Sequence, residues 1–152
     1  MPEAPEPPRV DWAKASPEVR QAMVALERTV RQAGVEPGLL ELVRIRASQL
    51  NGCGPCLQVH TRAALAKGER ASRIFELSDW ESSPNFTPRE RAALRWAEAV
   101  TRVSEGHVPE EVYRLALEQF AEKELVDLTL AVVAINGWNR LNIAFRTPVE
   151  GG

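Results

Sequence analysis

Two apolar runs of helical period meet at Gly52-Cys53-Gly54-Pro55-Cys56, a segment that no single helix can run through. Gly52 and the Gly54-Pro55 pair break the first pattern, and a proline in the opening turn suits the start of the second. The chain must therefore fold back here as an antiparallel helical hairpin pivoting near Gly52. With a rise of about 1.5 Å per residue, Glu41 lies roughly 16 Å back from the pivot and His60 roughly 12 Å beyond it. The two side chains end up about level, within reach of each other or of one bridging water.

The same hairpin gathers the residues that carry chemistry. It holds the chain's only two cysteines, Cys53 and Cys56, and one of its two histidines, His60. Free backbone N–H groups at a helix start favour negative charge, so a thiol placed there ionises more readily than a free one. That argument alone favours Cys53, since the first cysteine of such a turn usually faces solvent. His60 points the other way: it stands four residues after Cys56, on the same helical face, and seven after Cys53. Glu41 can then orient or charge His60, and His60 can deprotonate Cys56. Glu41 taken alone would be a first-turn acid complementing the helix dipole. A zinc site would want a fourth ligand beyond Cys53, Cys56 and His60, and only His107 or a distant carboxylate could supply it, so neither a metal nor a cofactor is expected. A structural staple is also disfavoured, because so short a loop constrains little of the unfolded chain.

The pattern Glu41, eleven residues, Cys53-Gly54-Pro55-Cys56, three residues, His60 resembles the core of the alkylhydroperoxidase D and carboxymuconolactone decarboxylase-like family. The likeness extends over RIRASQLNGC before the pair, HTRAALAKGE after it, and INGWNRLNIAFR near the end. It implies an all-α bundle, a homo-oligomer, and a proton relay from Glu41 through His60 to Cys56. Alkylhydroperoxidase D has a histidine just before its second cysteine, where this chain has Pro55, so its substrate and reductant do not carry over.

The rest of the chain reads as one domain of six or seven helices over residues 11–152, preceded by a proline-rich tail at residues 1–10 that should be extended or loose. Helix starts are marked at Ser16-Pro17-Glu18, at Pro37, at the Thr87-Pro88-Arg89-Glu90 capping box and at Pro109-Glu110-Glu111. A short helix over 71–77 should be followed by a polar loop, SDWESSPNF. The last run, from about Glu124 to Phe145, is apolar nearly all round and should be central or buried in an oligomer. Within it, Asn139 and Asn142 would need partners, so they could mark a polar interface, and Trp138 should serve packing or subunit contact. No segment alternates with period two, and no phosphate loop, G-x-S-x-G elbow or H-E-x-x-H is present. A net charge of −2 leaves no broad basic field for nucleic acid. No apolar run is long enough to span a membrane and the first residues are not a leader, so a cytoplasmic protein is expected.

The function expected is a thiol peroxidase or disulfide oxidoreductase. Cys56 attacks a hydroperoxide, Cys53 protonates the leaving group and then closes a disulfide, and an external dithiol or disulfide-reductase donor reduces it. Two alternatives stand beside this reading. One is a lyase acting on a lactone acid, as the family's other branch implies, which has no need of a cysteine pair. The other is an oligomeric redox sensor that does not turn over.

Overall fold

Residues 3–151 are described by a computed structural model; Met1 and Pro2 of the expected tail, and Gly152, lie outside the described residues. The described chain is all-helical. Its α-helices are α1 (Trp12–Ala15), α2 (Pro17–Gln32), α3 (Pro37–Asn51), α4 (Gly54–Ala66), α5 (Ala71–Glu76), α6 (Pro88–Thr101), α7 (Glu110–Gln119) and α8 (Glu122–Ala144), with 3-10 turns at Leu77–Ser82 and Val103–Glu105. That makes eight where the sequence predicts six or seven, the addition being the single turn of α1. No helix among the described residues is long and apolar enough to cross a membrane.

The helix starts fall where the sequence marks them. Pro17 and Pro37 open α2 and α3, positions at which a missing N–H leaves no helical bond unmade. Thr87 Oγ1 accepts from the Glu90 N–H at 3.1 Å and Glu90 Oε1 accepts from the Thr87 N–H at 2.8 Å, so both halves of the box are closed. Replacing Thr87 by Ala should cost about 1 kcal/mol of unfolding free energy. A denaturation midpoint unmoved by this change would mean that the box contributes nothing.

Helix α3 is the hub. Leu39, Leu40, Leu42, Val43, Ile45 and Ala47 are all buried, and this wide stripe packs against α4, α6 and α8 together. One core joins Val30, Leu40, Val43, Ala97, Leu128 and Val132 across α2, α3, α6 and α8. A second joins Leu42, Ile45, Leu77, Trp80, Phe86 and Leu94. The expected polar loop after α5 is therefore part of the core: its 3-10 turn points Trp80 inward, 1% exposed, with the indole N–H donating to Glu98 at 2.8 Å. The polar residues on either side of Trp80 masked this in the sequence.

Helix α8 runs through the middle, packing on α2, α3, α4, α6 and α7. Asn139, fully buried, donates to Ser48 Oγ at 3.0 Å and accepts from Asn51 at 2.9 Å. Its amide is thus satisfied within the chain rather than by a second subunit.

Residues 3–10 carry no regular structure, but the segment is tied to the end of α8, where the Arg9 N–H donates to the Phe145 carbonyl at 3.0 Å and Arg146 pairs with Glu6.

Candidate functional site

The α3–α4 hairpin forms as its breakers dictate. Gly52 takes a left-handed conformation with φ of 72°, which a side chain would strain, and the Cys53 N–H turns back to the Ser48 carbonyl at 3.0 Å. Cys53 becomes the N-cap of α4, and Gly54, Pro55 and Cys56 form its first turn. Gly54 matters sterically as well, since a Cβ there would come 2.9 Å from a methyl of Val149 in the C-terminal segment folded over the turn.

Cys53 and Cys56 are joined in a disulfide with their Cα atoms 5.4 Å apart. The two sulfurs differ in surroundings. Cys53 is 1% exposed and sits with Ala47 and Ile135, against the expectation that the first cysteine of the turn faces solvent. Cys56 is in the same apolar cluster and is 4% exposed, but it also forms part of the wall of a cleft of about 360 Å³, together with His60, Pro55, Val59, Trp12 and Trp138.

His60 and Glu41 meet directly. The His60 Nδ1 lies 2.8 Å from Glu41 Oε2, so no bridging water is required. A carboxylate can only accept, hence Nδ1 carries the proton, and in the neutral ring Nε2 is left with a free lone pair. Glu41 lies in the second turn of α3, too far inside to act as a helix-start acid. It is 3% exposed and carries more partners than the sequence suggests. Arg44 donates to its Oε1 at 3.0 Å and Lys67 to the same oxygen at 3.1 Å. Arg44 also donates to Glu27 Oε2 at 2.8 Å, and the Trp138 indole donates to Glu27 Oε1 at 3.0 Å. A buried alternation of charge therefore runs Glu27, Arg44, Glu41, His60, with Lys67 at its side. A second cavity of about 380 Å³ lies along this chain and shares Glu27, Arg31, Val59 and His60 with the first.

Burial alone would raise the Glu41 carboxyl, but the His60 hydrogen bond, the charges of His60 and Arg44 and the Lys67 ammonium outweigh it and hold the group down, from 4.5 to about 2. A depressed carboxylate stabilises the fold above its unfolded value and loses that contribution as pH falls through the folded one. Stability should thus drop by up to about 3 kcal/mol between pH 4.5 and 2 on this account. Urea midpoints measured across that window should show less of the drop in Glu41→Gln; an identical drop in both proteins would assign it elsewhere.

Among the described residues no cluster of three or more His, Cys, Asp and Glu side chains could hold a metal ion. His107 lies in the turn after α6, with φ of 53°.

The sequence reading missed Glu27, Arg44, Lys67, Trp12 and Asn142 as neighbours of the site. Arg44, three residues after Glu41 on one helix, could have been found by spacing; the others could not.

The model of the carboxymuconolactone decarboxylase family matches residues 17–99. The uncharacterized protein YdfG of Bacillus subtilis is 37% identical over 136 residues, covering 90% of this chain and 92% of that one. A protein of unknown function from Agrobacterium tumefaciens, described as a candidate antioxidant defence protein AhpD, superposes with a TM-score of 0.93 at 36% identity, over 96% of this chain and all of that one. An uncharacterized peroxidase-related protein from Ralstonia eutropha, described as an alkylhydroperoxidase AhpD core, has a TM-score of 0.81 at 18% identity, over 91% and 74% of the two chains, and shows the shared fold alone.

Proposed function

Since the chain belongs to the carboxymuconolactone decarboxylase family, we propose that it acts in that family as a thiol-dependent peroxidase, with Cys53 and Cys56 as the redox pair and Glu41 and His60 as the proton relay. The observation that carries this reading is the 2.8 Å bond from His60 to a buried carboxylate, with His60 and Cys56 in the wall of one cleft.

In the reduced protein His60 takes the Cys56 proton on Nε2, and the Glu41 carboxylate stabilises the imidazolium that results. The Cys56 thiolate attacks the terminal oxygen of a hydroperoxide and breaks the O–O bond. Cys56 becomes a sulfenic acid, and the departing alkoxide takes the Cys53 proton and leaves as an alcohol. The Cys53 thiolate then attacks the Cys56 sulfur, and the hydroxide released takes the proton from His60 and leaves as water. The Cys53–Cys56 disulfide is the product, and an external dithiol is oxidised in returning it to two thiols.

Both sulfurs are buried, but Cys56 lines the cleft and Cys53 does not, which supports Cys56 as the thiol that meets peroxide. Homo-oligomer formation and a cytoplasmic setting belong to the same reading. The apolar side chains left outside, Phe75 at 83% and Val126 at 68% exposure, are those that contacts between copies would cover.

The test is steady consumption of an organic hydroperoxide with a small dithiol as donor. Wild type should turn over and Cys56→Ser should not. Oxidation of wild type to the disulfide in one stoichiometric event without turnover would instead favour the redox sensor.

A further inference from the structure

We infer that Asn142 is a further catalytic residue, whose side-chain amide donates to the Cys56 sulfur and makes Cys56 the more acidic thiol of the pair. The inference rests on the peroxidase reading for its role in turnover, but not for its test. Asn142 lies in the last turn of α8, with its Nδ2 3.5 Å from Cys56 Sγ across 86 residues of sequence. Its Oδ1 accepts from the Trp12 indole N–H at 3.1 Å. An indole nitrogen only donates, so the amide oxygen must face Trp12 and the NH₂ must face sulfur. The orientation of the amide is thus fixed by chemistry.

Trp12 is itself held. Its ring lies against Trp138 at a centroid distance of 5.9 Å, and Trp138 is pinned through its indole N–H to Glu27. The backbone of Asn142 is anchored too, with its carbonyl accepting from the Thr147 N–H at 2.9 Å. A fixed N–H donor aimed at a sulfur favours the thiolate over the thiol, because the bond strengthens when the acceptor is charged. Cys53 and Cys56 share one apolar cluster with Ala47 and Ile135, a setting that disfavours either thiolate, but among the described residues only the Cys56 sulfur accepts a side-chain donor. Asn142 therefore adds to His60 on the Cys56 side alone, and separates the roles of two cysteines that lie only a turn apart. The same donor faces the sulfur as it departs as a thiolate when the disulfide is reduced.

The test uses the full chain carrying Cys53→Ser, which leaves Cys56 as its single thiol. The rate of alkylation by iodoacetamide is followed from pH 5 to 10. Asn142→Leu should raise the midpoint by about one pH unit, a roughly tenfold slower reaction at pH values below both midpoints, with rates converging once the thiol ionises unaided. The near-isosteric Asn142→Asp should raise it further, since a carboxylate replaces the donor. Trp12→Phe, which frees the amide to turn, should give a smaller shift in the same direction. Unmoved midpoints in both Asn142 variants, or a slowing that persists at high pH as a loss of packing would give, overturn the inference. Peroxide consumption by wild type is measured separately, so a failure of the peroxidase reading is told apart from a failure of this one.

Discussion

Replacing Arg44 by Met should lower the stability of the fold by about 3–5 kcal/mol, the usual cost of breaking a buried ion pair by removing one partner. Arg44 is 4% exposed and donates to two carboxylates, Glu27 at 2.8 Å and Glu41 at 3.0 Å. Among the described residues, its removal leaves Glu27 with the Trp138 indole as its one side-chain partner and Glu41 with His60 and Lys67. The Nε of Arg44 has no hydrogen-bond partner among the described residues, and what the loss of the side chain costs is the two carboxylates left behind. Adding Glu27→Gln to Arg44→Met should recover part of the stability, since one uncompensated charge is gone. Urea unfolding at fixed protein concentration measures both. A single variant within 1 kcal/mol of wild type would show that the network is not fully desolvated.

His60→Ala should reduce peroxide turnover at neutral pH by roughly 10²–10⁴, the usual contribution of a positioned general base. The fold should survive, because Arg44 and Lys67 still pair with the Glu41 carboxylate that His60 leaves. The loss should shrink as pH rises and Cys56 ionises without help, whereas a residue needed only for shape would lose activity equally at every pH. Glu41→Gln should act in the same direction and less strongly, since a neutral amide can still accept from Nδ1–H but cannot stabilise the imidazolium. Full activity of His60→Ala at neutral pH would remove the relay.

The hairpin was legible in the sequence because its determinants are local. Gly52 and Pro55 fix where the chain reverses, and the helical rise then fixes that Glu41 and His60 meet. Arg44 stands three residues after Glu41 on α3, but spacing on one helix does not reveal that a second carboxylate waits on another. Glu27, Trp12 and Asn142 reach the site through contacts that span 17, 130 and 86 residues. They depend on how α2 is rotated and where α1 and the end of α8 come together, which apolar periodicity leaves open. Trp80 shows the same limit in the core, where polar neighbours concealed a buried ring.

The central claim is that Cys56 is the thiol that reacts with peroxide. One stoichiometric addition of an organic hydroperoxide to Cys53→Ser, followed by a sulfenic-acid trap and peptide mass spectrometry, tests it directly. The account predicts the trapped adduct on Cys56, and none on Cys53 when the same addition is made to Cys56→Ser. An adduct on Cys53 in Cys56→Ser, with Cys56 left unmodified in Cys53→Ser, would contradict it.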